Sequence, residues 1–230
     1  MPGYRTKQER ISIAGVDDLV IRSLLDRDQF ADRDGAAERL GISSASWPLF
    51  GLLWPSGALL AARLGARPVT AGERILEVGC GLALASLVGH RRGADVTASD
   101  RHPLAALFLA ENVRLNKLAP MQYLHGDWDA AADAAAAMPT SGGFDLIVGS
   151  DLLYERDASG ALAAFVSRHA KASCEVWIVD PDRSNRPAFN RRMAADGFAR
   201  HEERLDSAAT STDAAYKGRL LVYRRKLAPH

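Results

Sequence analysis

The feature that most constrains this chain is an apolar run that leads directly into two closely spaced glycines. Residues 75–78, Ile-Leu-Glu-Val, are short and mostly apolar, which predicts a buried strand. Gly79 and Gly81 follow at once, and from Leu82 to Val88 apolar residues recur at helical spacing. A strand, a glycine turn and a helix bring backbone N–H groups and a helix N-terminus up to a ligand. The sequence therefore predicts a ligand site at this turn.

The residues around the turn argue against a dinucleotide as that ligand. The dinucleotide fingerprint needs a small residue at position 84, where this chain has Leu84. Glu77, two residues before the first glycine, would repel a pyrophosphate and suits a ligand with a cationic amine. The next predicted strand, residues 94–99, ends in Asp100, at the distance expected for an acid that holds ribose hydroxyls. A plain strand-to-helix turn, whose glycines serve geometry alone, is the alternative.

An acid followed by G-x-G at one strand end, with a second acid at the next, resembles the class I (seven-β-strand) S-adenosyl-L-methionine-dependent methyltransferases. The resemblance implies a Rossmann-like, doubly wound α/β fold with a seven-stranded sheet, mostly parallel with an antiparallel C-terminal strand. It also implies S-adenosyl-L-methionine as cofactor and S-adenosyl-L-homocysteine as product, with no metal. Ala83 stands where the usual third glycine would be. In this resemblance the turn cradles the methionyl part and the second acid takes the ribose, which assigns to cofactor binding Glu77 (indirectly), Gly79, Cys80, Gly81, Asp100 and Arg101.

A third strand end supplies the expected adenine contacts. Residues 121–124 predict a strand, and His125-Gly-Asp-Trp128 follows it. In the resembling class an acid here binds the adenine amino group, and an aromatic ring beside it can stack on the purine. The resemblance thus implies that Asp127 and Trp128 bind the adenine end, although Trp128 as a core anchor is the alternative. Residues 129–138 are nearly all alanine and predict a helix or a low-complexity loop.

The acceptor prediction rests on the strand predicted over residues 144–148. Residues 149–155 must emerge from it at the carboxyl edge of the sheet, where open α/β sheets bind ligands. Asp151-Leu-Leu-Tyr154 is similar to the D-x-x-Y motif of the lysine-methylating branch, whereas enzymes that methylate planar amides or base amino groups carry N-P-P-Y there. The full charge of Asp151 suits an ammonium, and Tyr154 offers an aromatic wall. We expect these two residues to be catalytic, with Ser150 at the cofactor and water removing the proton; a structural turn is the alternative.

Two tryptophan-proline pairs precede the first sheet strand. Trp47-Pro and Trp54-Pro-Ser-Gly57 lead into a helix predicted over about 56–64. W-P-S-G ahead of E-x-G-x-G resembles the electron-transfer-flavoprotein β-subunit lysine methyltransferases and their bacterial relatives, as does D-P-x-R at residues 180–183. In that branch the second tryptophan lies against the cofactor pocket, which implies the same role for Trp54. Packing alone is the alternative for both tryptophans.

The helix predicted over residues 103–116 carries two further features. Asn112 and Asn116 match the N-x-x-x-N that is common in this family, and we expect structural contacts from them rather than catalysis. His102, at the helix start and beside Asp100, is expected to be exposed; contact with the ribose rim is the alternative.

At 230 residues the chain fits one large domain with an extension. Residues 1–45 predict an extension with helices over 16–30 and 36–40, and residues 1–15 are expected to be loosely ordered. Residues 46–230 are then the methyltransferase domain, with further helices at 158–171 and 187–195, a strand at 175–179, and a closing antiparallel pair at 198–205 and 219–226.

Composition and charge limit the classes of partner and the compartment that we expect for this chain. The formal net charge of +1 gives no global attraction for nucleic acid or an anionic membrane. Cys80 and Cys174 are too few and too far apart for a metal knuckle or a disulfide scaffold. A polar start and the lack of a membrane-spanning apolar run predict a cytoplasmic, reduced protein. We expect a protein partner that presents a lysine; the alternatives are a small-molecule amine methyltransferase and a non-catalytic, cofactor-binding regulatory protein. The acceptor, the degree of methylation and the oligomeric state stay open.

Overall fold

A seven-stranded sheet and a separate two-stranded sheet organise the chain in the computed structural model, which describes residues 3–126, 128, 143–154, 157, 159–209 and 214–225. The strands are β1 (Thr6–Ile13), β2 (Val16–Leu24), β3 (Arg74–Val78), β4 (Asp95–Asp100), β5 (Gln122–His125), β6 (Phe144–Ser150), β7 (Ala170–Asp180), β8 (Ala199–Arg204) and β9 (Arg219–Arg225). The helices are α1 (Ala36–Arg39), a 3-10 helix (Trp47–Gly51), α2 (Pro55–Ala66), α3 (Leu84–Arg91), α4 (Ala105–Leu115), α5 (Ala161–His169) and α6 (Arg186–Ala195).

The order of strands in the large sheet is β5-β4-β3-β6-β7-β9-β8. Neighbours from β5 to β7 are parallel, and β9 runs antiparallel to both β7 and β8. This confirms the predicted mostly parallel, seven-stranded sheet with an antiparallel C-terminal strand. The chain order reverses between β3 and β6, and open α/β sheets bind ligands outside the carboxyl ends of the strands at such a point. The two predicted motifs therefore follow the two strands that flank the reversal.

Side chains of the sheet alternate between two apolar cores. Ile75 on β3 and Val148 on β6 pack with the cluster that includes α2 and α3. Their neighbours, Leu76 and Ile147, pack with the cluster that includes α5 and α6. Because successive strand residues point to opposite faces, a strand covered on both sides must be apolar at both, as these continuous runs are.

The N-terminal segment corrects the prediction of a helical extension. Residues 16–30 were predicted to be helical, and residues 1–15 to be loosely ordered, but β1 and β2 form an antiparallel hairpin that turns at Gly15 with φ +77°. On β2, Leu19, Ile21 and Ser23 are buried and alternate with less buried residues, which is the period-two pattern of a strand; Leu24, at the end of the strand, is buried as well. A short apolar run fits both the helical period of 3.6 residues and the strand period of two residues. The prediction of a helix is wrong because the partner strand, β1, could not be recognised from the sequence. The predicted second helix is confirmed as α1.

Asn112 and Asn116 hold this hairpin onto α4. Asn112 Oδ1 accepts the backbone N–H of Arg22 at 2.7 Å, and Asn116 Oδ1 accepts that of Val20 at 2.9 Å. Both amide groups also donate back to the carbonyls of the same two residues. Four residues along a helix and two along a strand both advance about 6 Å, so the N-x-x-x-N spacing matches one edge of a strand. The expected structural role is confirmed, and its partner is β2.

No helix in the described part of the chain has both the length and the apolar character needed to cross a bilayer. The two cysteines, Cys80 and Cys174, are buried and unpaired.

Replacement of Asn112 by alanine should lower the free energy of unfolding by about 1–3 kcal/mol, because the N–H and C=O of Arg22 would lose a buried partner. Leu107→Ala, at a position 52% exposed on the same helix, is the matched control and should change it by less than about 0.5 kcal/mol. Urea denaturation of both variants measures the difference. Equal losses would contradict the role of the amide.

Candidate active site

The glycine turn after β3 needs a backbone conformation that side chains disfavour. Gly79 and Gly81 have φ of +60° and +53°. A Cβ added at Gly81 would lie 2.8 Å from the backbone oxygen of Phe50. Ala83, at the position of the usual third glycine, also has a positive φ of +60°, at a cost of about 1–2 kcal/mol for a residue with a side chain. The departure from the family pattern therefore leaves the shape of the turn intact.

Asp100 ties this turn to the one that follows β4. One carboxylate oxygen accepts the N–H of Gly81 at 2.8 Å, and the other accepts the N–H of His102 at 2.8 Å. The side chain is buried; burial raises the pKa of Asp100, while these two N–H groups act in the opposite direction. Each oxygen keeps a second lone pair, so the carboxylate can accept ligand hydroxyls in addition.

Glu77 supports the turn from below. Its carboxylate accepts the backbone N–H of Ser86 at 2.8 Å and also the Ser86 hydroxyl. Burial raises the pKa of Glu77 to about 7, against the lowering effect of these hydrogen bonds. The side chain thus fastens the first turn of α3 to β3, and the indirect role expected for it agrees with these contacts.

A cavity of about 440 Å³ opens beside the turn, where the carboxyl ends of β3, β4 and β6 meet. Asp127 lies outside the described residues. All the other predicted site residues line the cavity: Trp54, Glu77, Gly79, Cys80, Gly81, Asp100, Arg101, Trp128, Ser150, Asp151 and Tyr154. Their individual roles stay predictions, but the structure brings them into one place.

Residues of the 3-10 helix and of the link from it to α2 complete the cavity wall. Trp54 lines it and donates its indole N–H to the carbonyl of Leu49 at 2.9 Å, whereas Trp47 is buried away from it among aromatic rings. His102 was expected to be exposed, which is wrong: its ring is buried and stacks on Phe50 with 3.6 Å between ring centroids. Burial lowers the pKa of His102 to about 3, so the ring is neutral near pH 7. No pattern in the sequence indicated that Phe50 would cover the start of this helix.

On the opposite side of the cavity, Asp151 is paired rather than free. It has φ +53°, and its N–H donates to the carbonyl of Val179 at the end of β7. Its two carboxylate oxygens accept Nε and Nη2 of Arg183 at 2.8 and 2.9 Å, a bidentate ion pair. The prediction that Asp151 offers a full charge to an incoming ammonium is therefore corrected. In the sequence Arg183 stands out only as the last residue of D-P-x-R, and no local signal connects it with Asp151.

Two aromatic side chains border the space between the glycine turn and Asp151. Tyr154 lines the cavity and is 41% exposed. Trp128 lines it too, and its indole N–H is buried with no acceptor among the described residues. Within the same part of the chain no group of His, Cys, Asp and Glu is placed to hold a metal ion. The cavity thus has the glycine turn and buried carboxylates on one side and an arginine-carboxylate pair on the other.

Because Glu77 is buried and its pKa is raised, we expect the free energy of unfolding to depend on pH. The folded state binds more protons than the unfolded state between about pH 4.5 and about 7, so the free energy of unfolding falls as pH rises through this interval. Glu77→Gln still presents an oxygen to Ser86 but cannot ionise. Its unfolding free energy should therefore fall less, by on the order of 3 kcal/mol. Denaturation at a series of pH values measures this against Glu38→Gln, an exposed carboxyl on α1; parallel curves for all three proteins would contradict it.

Comparison with known proteins identifies the family. A family model described as lysine methyltransferase matches residues 50–192. The electron transfer flavoprotein beta subunit lysine methyltransferase of Danio rerio is 30% identical over 155 residues, which are 66% of this chain and 57% of that protein. The protein N-lysine methyltransferase METTL21A of Danio rerio is 29% identical over 54% of each chain. The histone-arginine methyltransferase METTL23 of Rattus norvegicus is 28% identical over 50% of this chain and 51% of that one. The chain spans just over half the length of these relatives.

Solved structures agree on the fold. The Thermus thermophilus 16S rRNA N2 G1207 methyltransferase, in complex with AdoMet and guanosine, has a TM-score of 0.60 at 21% identity over 97% of this chain and 51% of that one. The ribosomal protein L11 methylase of Lactobacillus delbrueckii has a TM-score of 0.56 at 20% identity over 76% and 81%. At such identities the likeness extends to the fold alone. The family model covers more than half of the sequence, and the chain therefore belongs to the lysine methyltransferase family.

Proposed function

We propose that this protein is an S-adenosyl-L-methionine-dependent methyltransferase that acts on a lysine side chain of another protein. The observation that carries the proposal is the shared cavity. It joins the glycine turn and Asp100, the donor side, to Asp151 and Tyr154, the acceptor side. A transfer between two bound groups needs both within one enclosed space, since positioning alone is worth on the order of 7–11 kcal/mol of barrier.

The donor side has the chemistry to hold S-adenosyl-L-methionine. Gly79 and Gly81 line the cavity where the methionyl part would lie, and Asp100 keeps lone pairs for ribose hydroxyls. The buried Trp128 N–H has no acceptor among the residues that the structure describes, and it lies where a ligand can supply one. Two buried carboxylates nearby, Glu77 and Asp100, favour a cationic ligand. When bound, the donor supplies an electrophilic methyl group on a sulfonium.

The pairing of Asp151 with Arg183 addresses the protonation of the acceptor. A lysine with its ordinary pKa of about 10.4 is neutral only about one part in a thousand near pH 7.4. An isolated carboxylate would bind the ammonium but would also stabilise its charged form. The Arg183 guanidinium opposes that field, while the outer lone pairs of Asp151 can still accept a hydrogen bond from the amine. Asp151 therefore orients the amine, Tyr154 forms the wall beside it, and water removes the proton.

A protein acceptor is supported by the names of the relatives and by the open position of Tyr154, which is 41% exposed at the cavity. A small-molecule amine methyltransferase and a non-catalytic cofactor-binding protein are the alternatives. One relative is named a histone-arginine methyltransferase, so the methylated residue itself must be determined.

Incubation of the purified protein with methyl-labelled donor and a cell lysate tests the proposal. We expect a labelled protein band, and peptide mass spectrometry should place the added methyl on a lysine side chain. Methyl on an arginine would contradict the lysine assignment. Label in the small-molecule fraction would favour the first alternative, and bound donor without any transfer would favour the second.

Substitutions of the ion pair test the roles on the acceptor side. Asp151→Ala should abolish transfer while donor affinity stays within a few-fold.

Arg183→Gln should leave Asp151 uncompensated, raise the pKa of the bound amine and move the rise of kcat to higher pH. Arg200→Gln, at an exposed arginine paired with Glu202 on β8, is the control. An unchanged kcat–pH profile for Arg183→Gln would contradict the role given to the pair.

Gly81→Ala tests the donor side against a matched glycine. Gly72 also has a positive φ, +75°, but a Cβ there would meet nothing within 4 Å. Both alanine variants carry the same backbone cost, and only the one at Gly81 must displace the Phe50 carbonyl. We expect S-adenosyl-L-homocysteine to bind Gly81→Ala at least about tenfold more weakly, or about 1.4 kcal/mol, and Gly72→Ala as it binds the natural protein. Calorimetry measures both affinities, and equal values would contradict the assignment.

A further inference from the structure

A second cavity of about 590 Å³ lies against the candidate active site. The two share a wall formed by Arg101, Trp128, Leu152 and Tyr154. The second cavity continues from Tyr154 along the residues before α5 and the first turns of α6. We call it the flanking groove. A chain segment whose lysine enters the active site past Tyr154 would have its neighbouring residues in this groove.

The floor of the flanking groove is apolar. Leu153, Leu162 and Phe189 line it and are buried, with relative exposures of 4%, 2% and 3%. Pro187 and Ala188 of α6 extend this surface. Such a floor accepts aliphatic side chains and offers them few polar partners.

The rim of the flanking groove is basic. Arg101, Arg191 and Arg192 line it, and Arg191 is exposed. Asp157 is the one acidic residue among the described lining residues. Its carboxylate accepts the backbone N–H groups of three residues at the start of α5, which fixes its position but leaves its negative charge; these are Gly160 at 2.7 Å, Ala161 at 2.9 Å and Leu162 at 3.1 Å. The described lining residues thus carry three guanidinium groups and one carboxylate, a local excess of positive charge in a chain whose net charge is only +1.

We propose that the flanking groove binds an acidic segment of the acceptor protein, with Asp or Glu residues close in sequence to the methylated lysine. The inference rests on the proposed function for the identity of the partner, and on charge complementarity for its chemistry. Arginine forks bind carboxylates in bidentate geometry, and the apolar floor takes the aliphatic side chains between them. A nucleic acid would instead need a row of phosphate contacts along its backbone, and this groove has three guanidinium groups, one of which, that of Arg192, already donates to the Asp157 carbonyl.

The test is a binding measurement that does not depend on catalysis. Two fluorescent peptides have the same central lysine, flanked in one by glutamates and in the other by glutamines. Anisotropy is measured on the full chain saturated with S-adenosyl-L-homocysteine. We expect the glutamate peptide to bind about tenfold or more tightly than the glutamine peptide, and the difference to shrink as salt is raised. Arg191→Glu should remove the difference, whereas Arg168→Glu, at an exposed arginine of α5 that does not line the groove, should keep it.

The outcomes separate this proposal from the proposed function. A glutamate peptide whose lysine is replaced by methionine should still bind, because the groove and not the acceptor pocket holds it. Preferential binding of the glutamate peptide without any methyl transfer would support the groove and count against the lysine activity. Equal binding of both peptides, an Arg191→Glu variant that keeps the preference, or tighter binding of a single-stranded oligonucleotide of equal charge would overturn the groove proposal even if transfer occurs.

Discussion

The donor side of the cavity depends on one buried carboxylate. Asp100 stands at the end of β4, and it accepts N–H groups from the turn after β3, at Gly81, and from the turn after β4, at His102. Since parallel strands end at the same edge of a sheet, a side chain on one strand can fix the backbone of its neighbour. Loss of that acceptor would leave two N–H groups without their partner, at about 1–3 kcal/mol each. Phe50, in the 3-10 helix before α2, stacks on the ring of His102 and lines the cavity, so this short helix is part of the cavity wall.

On the acceptor side, too, a carboxylate at the end of one strand is fixed to the end of the neighbouring strand. Asp151 follows β6 and is fixed to the end of β7, through the Val179 carbonyl and the guanidinium of Arg183. The electrostatic results differ. The hydrogen-bond partners of Asp100 are neutral N–H groups, so this carboxylate is in no direct ion pair, which suits a cationic donor. Asp151 and the Arg183 guanidinium form an ion pair with no net charge, which suits an amine that must lose its proton. Two similar strand ends thus prepare one cavity for two chemically different groups.

The sequence predicted what is local or follows from parallel topology. The strand, glycine turn and helix at residues 75–88 are contiguous, and acids at successive strand ends must meet at one edge of the sheet, so the lining of the cavity followed. Contacts between segments that are distant in the sequence could not be predicted. Arg183 lies 32 residues from Asp151, and no spacing rule links them. The hairpin over residues 6–24 was missed because a short apolar run fits either period until its partner strand is known. The domain boundary at 45/46 and a cytoplasmic location stay predictions from the sequence.

The most direct measurement is a crystal structure of the full chain with S-adenosyl-L-homocysteine bound. We expect the ribose hydroxyls to contact Asp100, the homocysteine to lie over Gly79–Gly81, and the sulfur to face the space between Ser150 and Tyr154. The Asp151–Arg183 pair should stay intact beside it. A bound molecule outside this cavity, or a sulfur turned away from Tyr154, would contradict the claim that donor and acceptor meet between these two strand ends.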